Sequence, residues 1–75
     1  MTWNHRVLAH QDGEDVYFEI HEVYYNQKNI PEHHTPDAIT VGGDNVKSIR
    51  WTLKQMKKAT KKPVLWAGNK FPEEY

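Results

Sequence analysis

The pattern of apolar and polar positions predicts one helix in this chain. In residues 45–62, NVKSIRWTLKQMKKATKK, apolar side chains recur at steps of three or four, which places them on one face of an α-helix. These positions are Val46, Ile49, Leu53, Met56 and Thr60. Asp44 or Asn45 can cap the first turn, and Pro63 cannot continue a helix. We therefore predict a helix over Asn45–Lys61.

The segment before this helix has the pattern of strands and turns. Trp3–His10 contains β-forming residues, and Gln11–Asp15 holds an Asp-Gly pair that is typical of a hairpin turn. Val16–Tyr25 is the strongest strand, with alternating apolar residues at its start. The alternation changes parity at His21 and Glu22, where we expect a bulge or a strong twist.

The remaining segments complete an α+β domain. Ala38–Val41 is predicted as the third strand, after a loop in which Ile30–Thr35 runs extended. Val64–Trp66 can add a short fourth strand. The predicted order is β-β-β-α(-β), with an antiparallel sheet of three or four strands covered on one face by the helix. Residues 1–66 then form a single domain, and residues 67–75 form a loosely ordered tail.

This arrangement predicts which apolar side chains form the core. The expected core residues are Val7, Val16, Phe18, Ile20, Ile39, Val41, Val46, Ile49, Leu53 and Met56, with Ala9 and Leu65 at its edge. A chain of 75 residues has material for one core of this kind.

Charge divides the chain into two halves, although the formal net charge is zero. Residues 1–44 carry two basic and eight acidic side chains, and residues 45–75 carry eight basic and two acidic ones. The split predicts a basic helical layer over an acidic sheet layer. The two layers either neutralise each other or leave the helix available to an acidic partner.

Composition favours a cytoplasmic protein. The chain has no cysteine, which excludes disulfides and thiolate metal sites and suits a reducing compartment. No apolar run approaches the roughly 20 residues that span a bilayer, and the start MTWNHRVLAH lacks an apolar signal core. We expect no membrane partner and no cofactor, and the pattern leaves the oligomeric state open.

Two resemblances extend this interpretation. The hairpin after His10–Gly13 and the Gly43-Asp44-Asn45 sequence that opens the helix resemble the N-terminal domain of HicB-type antitoxins. That resemblance implies a partial double-stranded-RNA-binding-like fold. The segments WNHRV, IHEVYY, VGGDNVKSIRWTLKQM and KPVL resemble a group of short uncharacterised proteins of bacteria and their phages. This second resemblance implies a phage-related origin and no particular activity.

The five histidines, with Glu22 and Glu32 near some of them, raise the question of a metal site. Zinc needs three or four ligands that converge on one point. His5 and His10 have opposite parity on a strand, and the neighbours His33 and His34 diverge. Neither an HxH strand motif nor an HxxxH helix motif occurs. We therefore expect no metal site, and ordinary histidines in its place.

No motif in the sequence indicates catalysis. The chain's one serine, Ser48, lies in the predicted first helical turn, and no histidine is near it in sequence. Neighbouring His21 and Glu22 point to opposite faces of a strand. The Gly42-Gly43 pair does not form a phosphate-binding loop. We expect a protein that is not an enzyme.

The helix has a second face that can bind a partner. It consists of Lys47, Trp51, Lys54 and Lys58, on the side away from the apolar stripe. An indole among lysines suits an acidic protein or a nucleic acid, although local packing can equally cover Trp51. Because net neutrality disfavours nucleic acid, we expect a small protein-binding adaptor or regulator, with a nucleic-acid-binding module as the alternative.

Overall fold

A computed structural model describes residues 2–75 of the chain. Its elements are β1 (Thr2–Asp12), β2 (Asp15–Tyr25), β3 (Pro31–His34), α1 (Val46–Ala59), β4 (Leu65–Trp66) and a 3-10 turn (Gly68–Lys70). The strands form one sheet in the order β3-β2-β1-β4. The predicted α+β class and element order are confirmed, and the short fourth strand is present. The sheet was predicted to be antiparallel. It is mixed, because β4 pairs parallel to β1.

β1 and β2 form a long hairpin around which the rest of the chain packs. Its tight turn lies where the Asp-Gly pair predicts it, and Gly13 has a positive φ of 61° that glycine adopts without strain. Pairing runs without a break from Asp12 opposite Asp15 to Thr2 opposite Tyr25. The hairpin thus fixes which residues share each face of the sheet.

The expected bulge at His21–Glu22 is wrong, since the register of β1 with β2 is continuous there. The apolar residues change parity because the two ends of β2 bury opposite faces. Val23 and Tyr25 are buried on the face that residues 67–75, the C-terminal segment, pack against, and Ile20 is half-buried on the other face. The structure has an irregularity between Tyr24 and Tyr25, in the pairing of β2 with β3.

The two faces of the sheet have different covers. The helix face carries Trp3, His5, Val7 and Ala9, and α1 packs on it against β1. The C-terminal face is the opposite surface of the sheet, where Phe71 and Ala67 pack on the core cluster. That cluster consists of Leu8, Val23, Tyr25 and Leu65.

The segment after β4, predicted as a loose tail, therefore makes defined contacts. Tyr75 N–H donates to the carbonyl of Val64, and Trp66 N–H donates to the carbonyl of Glu73. The ring of Tyr75 contacts both Phe18 and Trp66. Backbone pairing and aromatic packing together hold the C-terminal segment against the sheet.

The helix begins as the sequence predicts. Asn45 is its N-cap, and its Oδ1 accepts from Ser48 N–H at 2.9 Å and from the Ser48 hydroxyl at 3.2 Å. Lys57 and Lys58 lie in the last turn, where cations suit the helix dipole. Within residues 2–75, no helix is long and apolar enough to cross a membrane.

The helix packs through a different side from the predicted apolar stripe. Its less exposed residues are Ser48, Ile49, Thr52, Gln55, Met56 and Ala59. The centre of this side is rotated about the helix axis by roughly a quarter of a revolution from the centre of the predicted stripe. Leu53 is 50% exposed and Val46 is 61% exposed. The Thr52 hydroxyl can face the sheet because it donates to the carbonyl of Ser48 at 3.1 Å.

The predicted core is correspondingly wrong at several positions. The residues that prove exposed are Val16, Phe18, Val41, Val46 and Leu53. The buried apolar side chains are Leu8, Ala9, Val23, Tyr25, Ala59 and Leu65. The prediction assumed one covered face, whereas the C-terminal segment covers a second one and shifts the core toward it.

The third strand also lies earlier in the chain than predicted. Pro31–His34 pairs with β2, within the stretch expected to run extended. Ala38–Val41 is not a strand, although Ile39 N–H donates to the carbonyl of Ile20 at 3.0 Å. The chain follows the edge of β2 beyond β3 in irregular form.

Candidate functional site

Two tryptophans from different elements form an exposed aromatic surface. Trp3 comes from β1 and Trp51 from α1, and their ring centroids lie 6.4 Å apart in an edge-to-face arrangement. The ring of His5, buried beneath them, contacts both, at 5.4 Å from Trp3 and 6.2 Å from Trp51. We call Trp3, His5 and Trp51 the aromatic surface. The two indoles remain 47% and 52% exposed, respectively.

The four residues predicted to contact a partner lie on one side of α1. Lys47, Lys54 and Lys58 are exposed, and each is within about 60° of Trp51 around the helix axis. A shallow groove beside Trp51 is lined by Asn45, Lys47, Ser48, Trp51 and Thr52. Trp51 lies at the edge of the buried side and not opposite to it, so the indole packs locally and is also accessible.

The cations of α1 have no carboxylate partners in the part of the chain that the structure describes. The helix carries Lys47, Arg50, Lys54, Lys57 and Lys58 and no acidic residue. Between residues 2 and 75, no lysine or arginine nitrogen lies within 4.0 Å of a carboxylate oxygen. Direct neutralisation by the acidic half of the chain therefore does not occur at contact distance, and the helix presents an unpaired positive surface.

A second cluster lies on the C-terminal face, where β1 and β2 bring two imidazoles and a carboxylate together. Nε2 of His10 lies 2.9 Å from Nε2 of His21. Glu19 Oε1 lies 3.5 Å from His10 Nε2 and 3.9 Å from His21 Nε2. We call His10, Glu19 and His21 the histidine cluster.

Hydrogen bonds to Thr35 fix the orientation of His21. Its Nδ1 lies 2.9 Å from the Thr35 carbonyl, which can only accept, so Nδ1 carries a proton. In the neutral ring, Nε2 then presents a lone pair to His10. His21 is fully buried, and this burial lowers its pKa, while the bond to Thr35 partly opposes the shift.

His34 completes the support beneath this cluster. Its Nδ1 lies 2.6 Å from the same Thr35 carbonyl, and its Nε2 accepts from Gly68 N–H at 3.3 Å. The ring packs edge-on against Phe71 and against His21. The C-terminal segment therefore holds the ring that lies next to the cluster.

The expectation that no three metal-binding side chains converge is wrong for His10, Glu19 and His21, whose ligand atoms all lie within 4.8 Å of one another. Histidines within one strand diverge as expected, but Glu19 and the pairing of two strands bring a third ligand to the site. The useful signal is the Glu-x-His pattern of Glu19 and His21, whose members share a strand face. The hairpin register adds His10 to that face.

The other residues weighed from sequence remain apart from this cluster. His33 is exposed on β3, and His5 lies on the helix face. The Ser48 hydroxyl donates to the helix cap at Asn45. Glu22 accepts from the hydroxyl of Tyr24 at 2.6 Å.

Comparison of the chain with family models, with curated proteins and with solved structures finds no match. The resemblances to HicB-type antitoxins and to short bacterial and phage proteins therefore stay predictions.

Proposed function

We propose that this chain is a small, non-enzymatic protein-binding adaptor or regulator that acts in the cytoplasm. Its contact surface is the aromatic surface together with the neighbouring lysines of α1. The observation that supports this proposal most directly is the pair of half-exposed indoles, Trp3 and Trp51, in mutual contact.

Tryptophan is enriched at protein interfaces relative to the rest of the protein surface. Large aromatic side chains dominate the energy of protein interfaces, because they bury much apolar area at a low cost in side-chain entropy. Here each indole is already oriented by the other and by His5. Pre-orientation of this kind reduces the entropy that a partner must remove.

The charges around the indoles indicate the chemistry of a partner that would fit this surface. Lys47, Lys54 and Lys58 lie on the Trp51 side of α1, and none has a carboxylate oxygen of residues 2–75 within 4.0 Å. A protein segment with an apolar or aromatic centre and acidic residues at its edges complements this surface. A single-stranded nucleic acid offers similar chemistry, but the zero net charge of the whole chain disfavours it.

The test compares four variants in a pull-down from the native host, with and without nuclease. Trp3→Ala and Trp51→Ala remove the anchors. Leu53→Ala removes an equally exposed side chain elsewhere on α1, and Lys57→Ala removes a cation far from Trp51. We expect a partner that is still captured after nuclease treatment. Leu53→Ala and Lys57→Ala should retain this partner, whereas either tryptophan variant should weaken its binding by more than about 2 kcal/mol.

Each other outcome has a defined meaning. Loss of the partner on nuclease treatment supports the nucleic-acid alternative. In that case the affinity of the chain for an oligonucleotide should fall steeply with salt, and Lys54→Ala should lower it. A partner that Leu53→Ala loses and Trp51→Ala retains places the interface elsewhere. If both tryptophan variants change the melting temperature but leave binding unchanged, the aromatic surface is local packing and the proposal is wrong.

A further inference from the structure

We propose that the histidine cluster, His10, Glu19 and His21, is a binding site for one divalent transition metal of the zinc class. The site joins β1 to β2 on the C-terminal face, away from the aromatic surface. It is independent of the proposed protein-binding function, which uses the helix face.

The three ligand atoms have the spacing that a small metal requires. Their separations are 2.9 Å between the two imidazole nitrogens, and 3.5 and 3.9 Å from these nitrogens to Glu19 Oε1. The circle through three points with these separations has a radius of about 2.0 Å, which matches the bond lengths of zinc to histidine nitrogen and carboxylate oxygen. A metal close to their plane is thus within bonding distance of all three without movement of either strand.

Contacts with neighbouring groups hold both imidazole rings in place. His21 donates its Nδ1 proton to the backbone carbonyl of Thr35, so in the neutral ring Nε2 is the unprotonated nitrogen that can bind a metal. A backbone carbonyl in this position is a common partner of metal-bound histidines, since it fixes both the tautomer and the ring plane. The ring of His10 is stacked on Tyr17, with 4.9 Å between centroids and 9° between planes.

The donor set selects the class of metal. Two imidazole nitrogens and one carboxylate oxygen suit zinc, cobalt, nickel and copper, whereas magnesium and calcium prefer oxygen ligands alone. Glu19 is exposed and His21 is buried, so the cluster opens to solvent on the Glu19 side. A metal would therefore reach the cluster from the Glu19 side, where water can supply a fourth ligand.

The same geometry has a metal-free explanation, in which His10 donates its Nε2 proton to His21 and Glu19 stabilises the pair. The explanations differ in what happens on addition of metal. A site bridging two strands must stabilise the fold when it is filled, because the unfolded chain does not hold the three ligands together.

The test titrates the untagged, chelator-treated chain with Zn²⁺ by calorimetry and with Co²⁺ by visible absorption. We expect saturation at one equivalent, a rise in melting temperature, and cobalt bands typical of four-coordination. His10→Gln and Glu19→Gln should weaken Zn²⁺ binding at least about tenfold. Both side chains are partly or largely exposed, so these variants should fold, which circular dichroism checks.

His33→Gln is the matched control, since His33 is exposed on β3 and belongs to no part of the cluster. It should bind Zn²⁺ as the parent does. Absence of saturable binding by the parent overturns the proposal and leaves the hydrogen-bonded pair. Binding that survives both His10→Gln and Glu19→Gln, or that His33→Gln abolishes, also overturns it by placing the metal elsewhere.

Discussion

Arg6 donates a hydrogen bond of 2.8 Å from Nη1 to the hydroxyl of Tyr25, and both side chains are buried. Its Nη2 donates to the carbonyl of Pro63 at 2.7 Å, so one side chain on β1 links β2 to the segment that follows α1. No carboxylate oxygen among residues 2–75 lies within 4.0 Å of this guanidinium. Neutral oxygens therefore hold a buried cation in place.

This link predicts a large cost for Arg6→Ala. The variant leaves the Tyr25 hydroxyl and the Pro63 carbonyl without their donors, and we expect a loss of about 2–4 kcal/mol in the free energy of unfolding. Tyr25→Phe removes one of the two bonds and should cost about 1 kcal/mol. Urea denaturation gives both values. Arg50→Ala, on the exposed surface of the helix, is the control, and its free energy of unfolding should stay within about 0.5 kcal/mol of the parent. An equally small effect of Arg6→Ala would show that the link is not needed.

The position of the core predicts opposite results for two leucines. Leu8 is fully buried in the sheet, so Leu8→Ala should cost about 2–5 kcal/mol through the cavity that it leaves. Leu53 is half-exposed on α1, so Leu53→Ala should cost less than about 1 kcal/mol. Denaturant unfolding measures both. A larger loss for Leu53→Ala than for Leu8→Ala would restore the apolar stripe as the buried side of the helix.

These two leucines also show what the sequence could predict. Short-range signals identify the hairpin turn, the cap at Asn45 and the existence of the helix, because each depends on neighbouring residues. The buried side of α1 depends on what else covers the sheet. Periodicity places Leu53 inward, but with Trp51 packed against Trp3 the helix buries a side that combines Ile49 and Met56 with small and polar residues.

The two candidate sites were predictable to different degrees. Lys47, Trp51, Lys54 and Lys58 share a side of the helix, which follows from helical geometry alone. The contact of Trp51 with Trp3 joins residues far apart in sequence, and no local pattern indicates it. The histidine cluster depends on the register of β1 with β2, so its members converge only after the hairpin is known.

The start of α1 predicts a contrast between two adjacent glycines. A Cβ at Gly43 would lie 2.6 Å from Cβ of Ser48, whose side chain takes part in the Asn45 cap. Gly43→Ala must therefore shift Ser48 and should cost about 1–3 kcal/mol. A Cβ at Gly42 meets nothing within 4 Å, so Gly42→Ala should be neutral or stabilise by up to about 1 kcal/mol. Equal melting temperatures for the two variants would contradict this account of the cap.

His5 predicts how stability depends on pH. The side chain is buried between Trp3 and Trp51, and burial lowers its pKa, while Glu22 on the neighbouring strand partly offsets the shift. The unfolded chain therefore takes up a proton at His5 more readily than the folded chain does. The corresponding stability is present above the unfolded pKa of about 6.5 and is lost as the pH falls through the lower pKa of the folded state.

We therefore expect the free energy of unfolding to fall between about pH 7.5 and pH 5.5, and to fall less in His5→Gln, which cannot take up that proton. Urea denaturation at several pH values measures the slope, and other titrating groups contribute equally to parent and variant. If His5→Gln keeps the slope of the parent, protonation of the ring beneath the two indoles does not oppose folding, and His5 is more accessible to water than its position between them indicates.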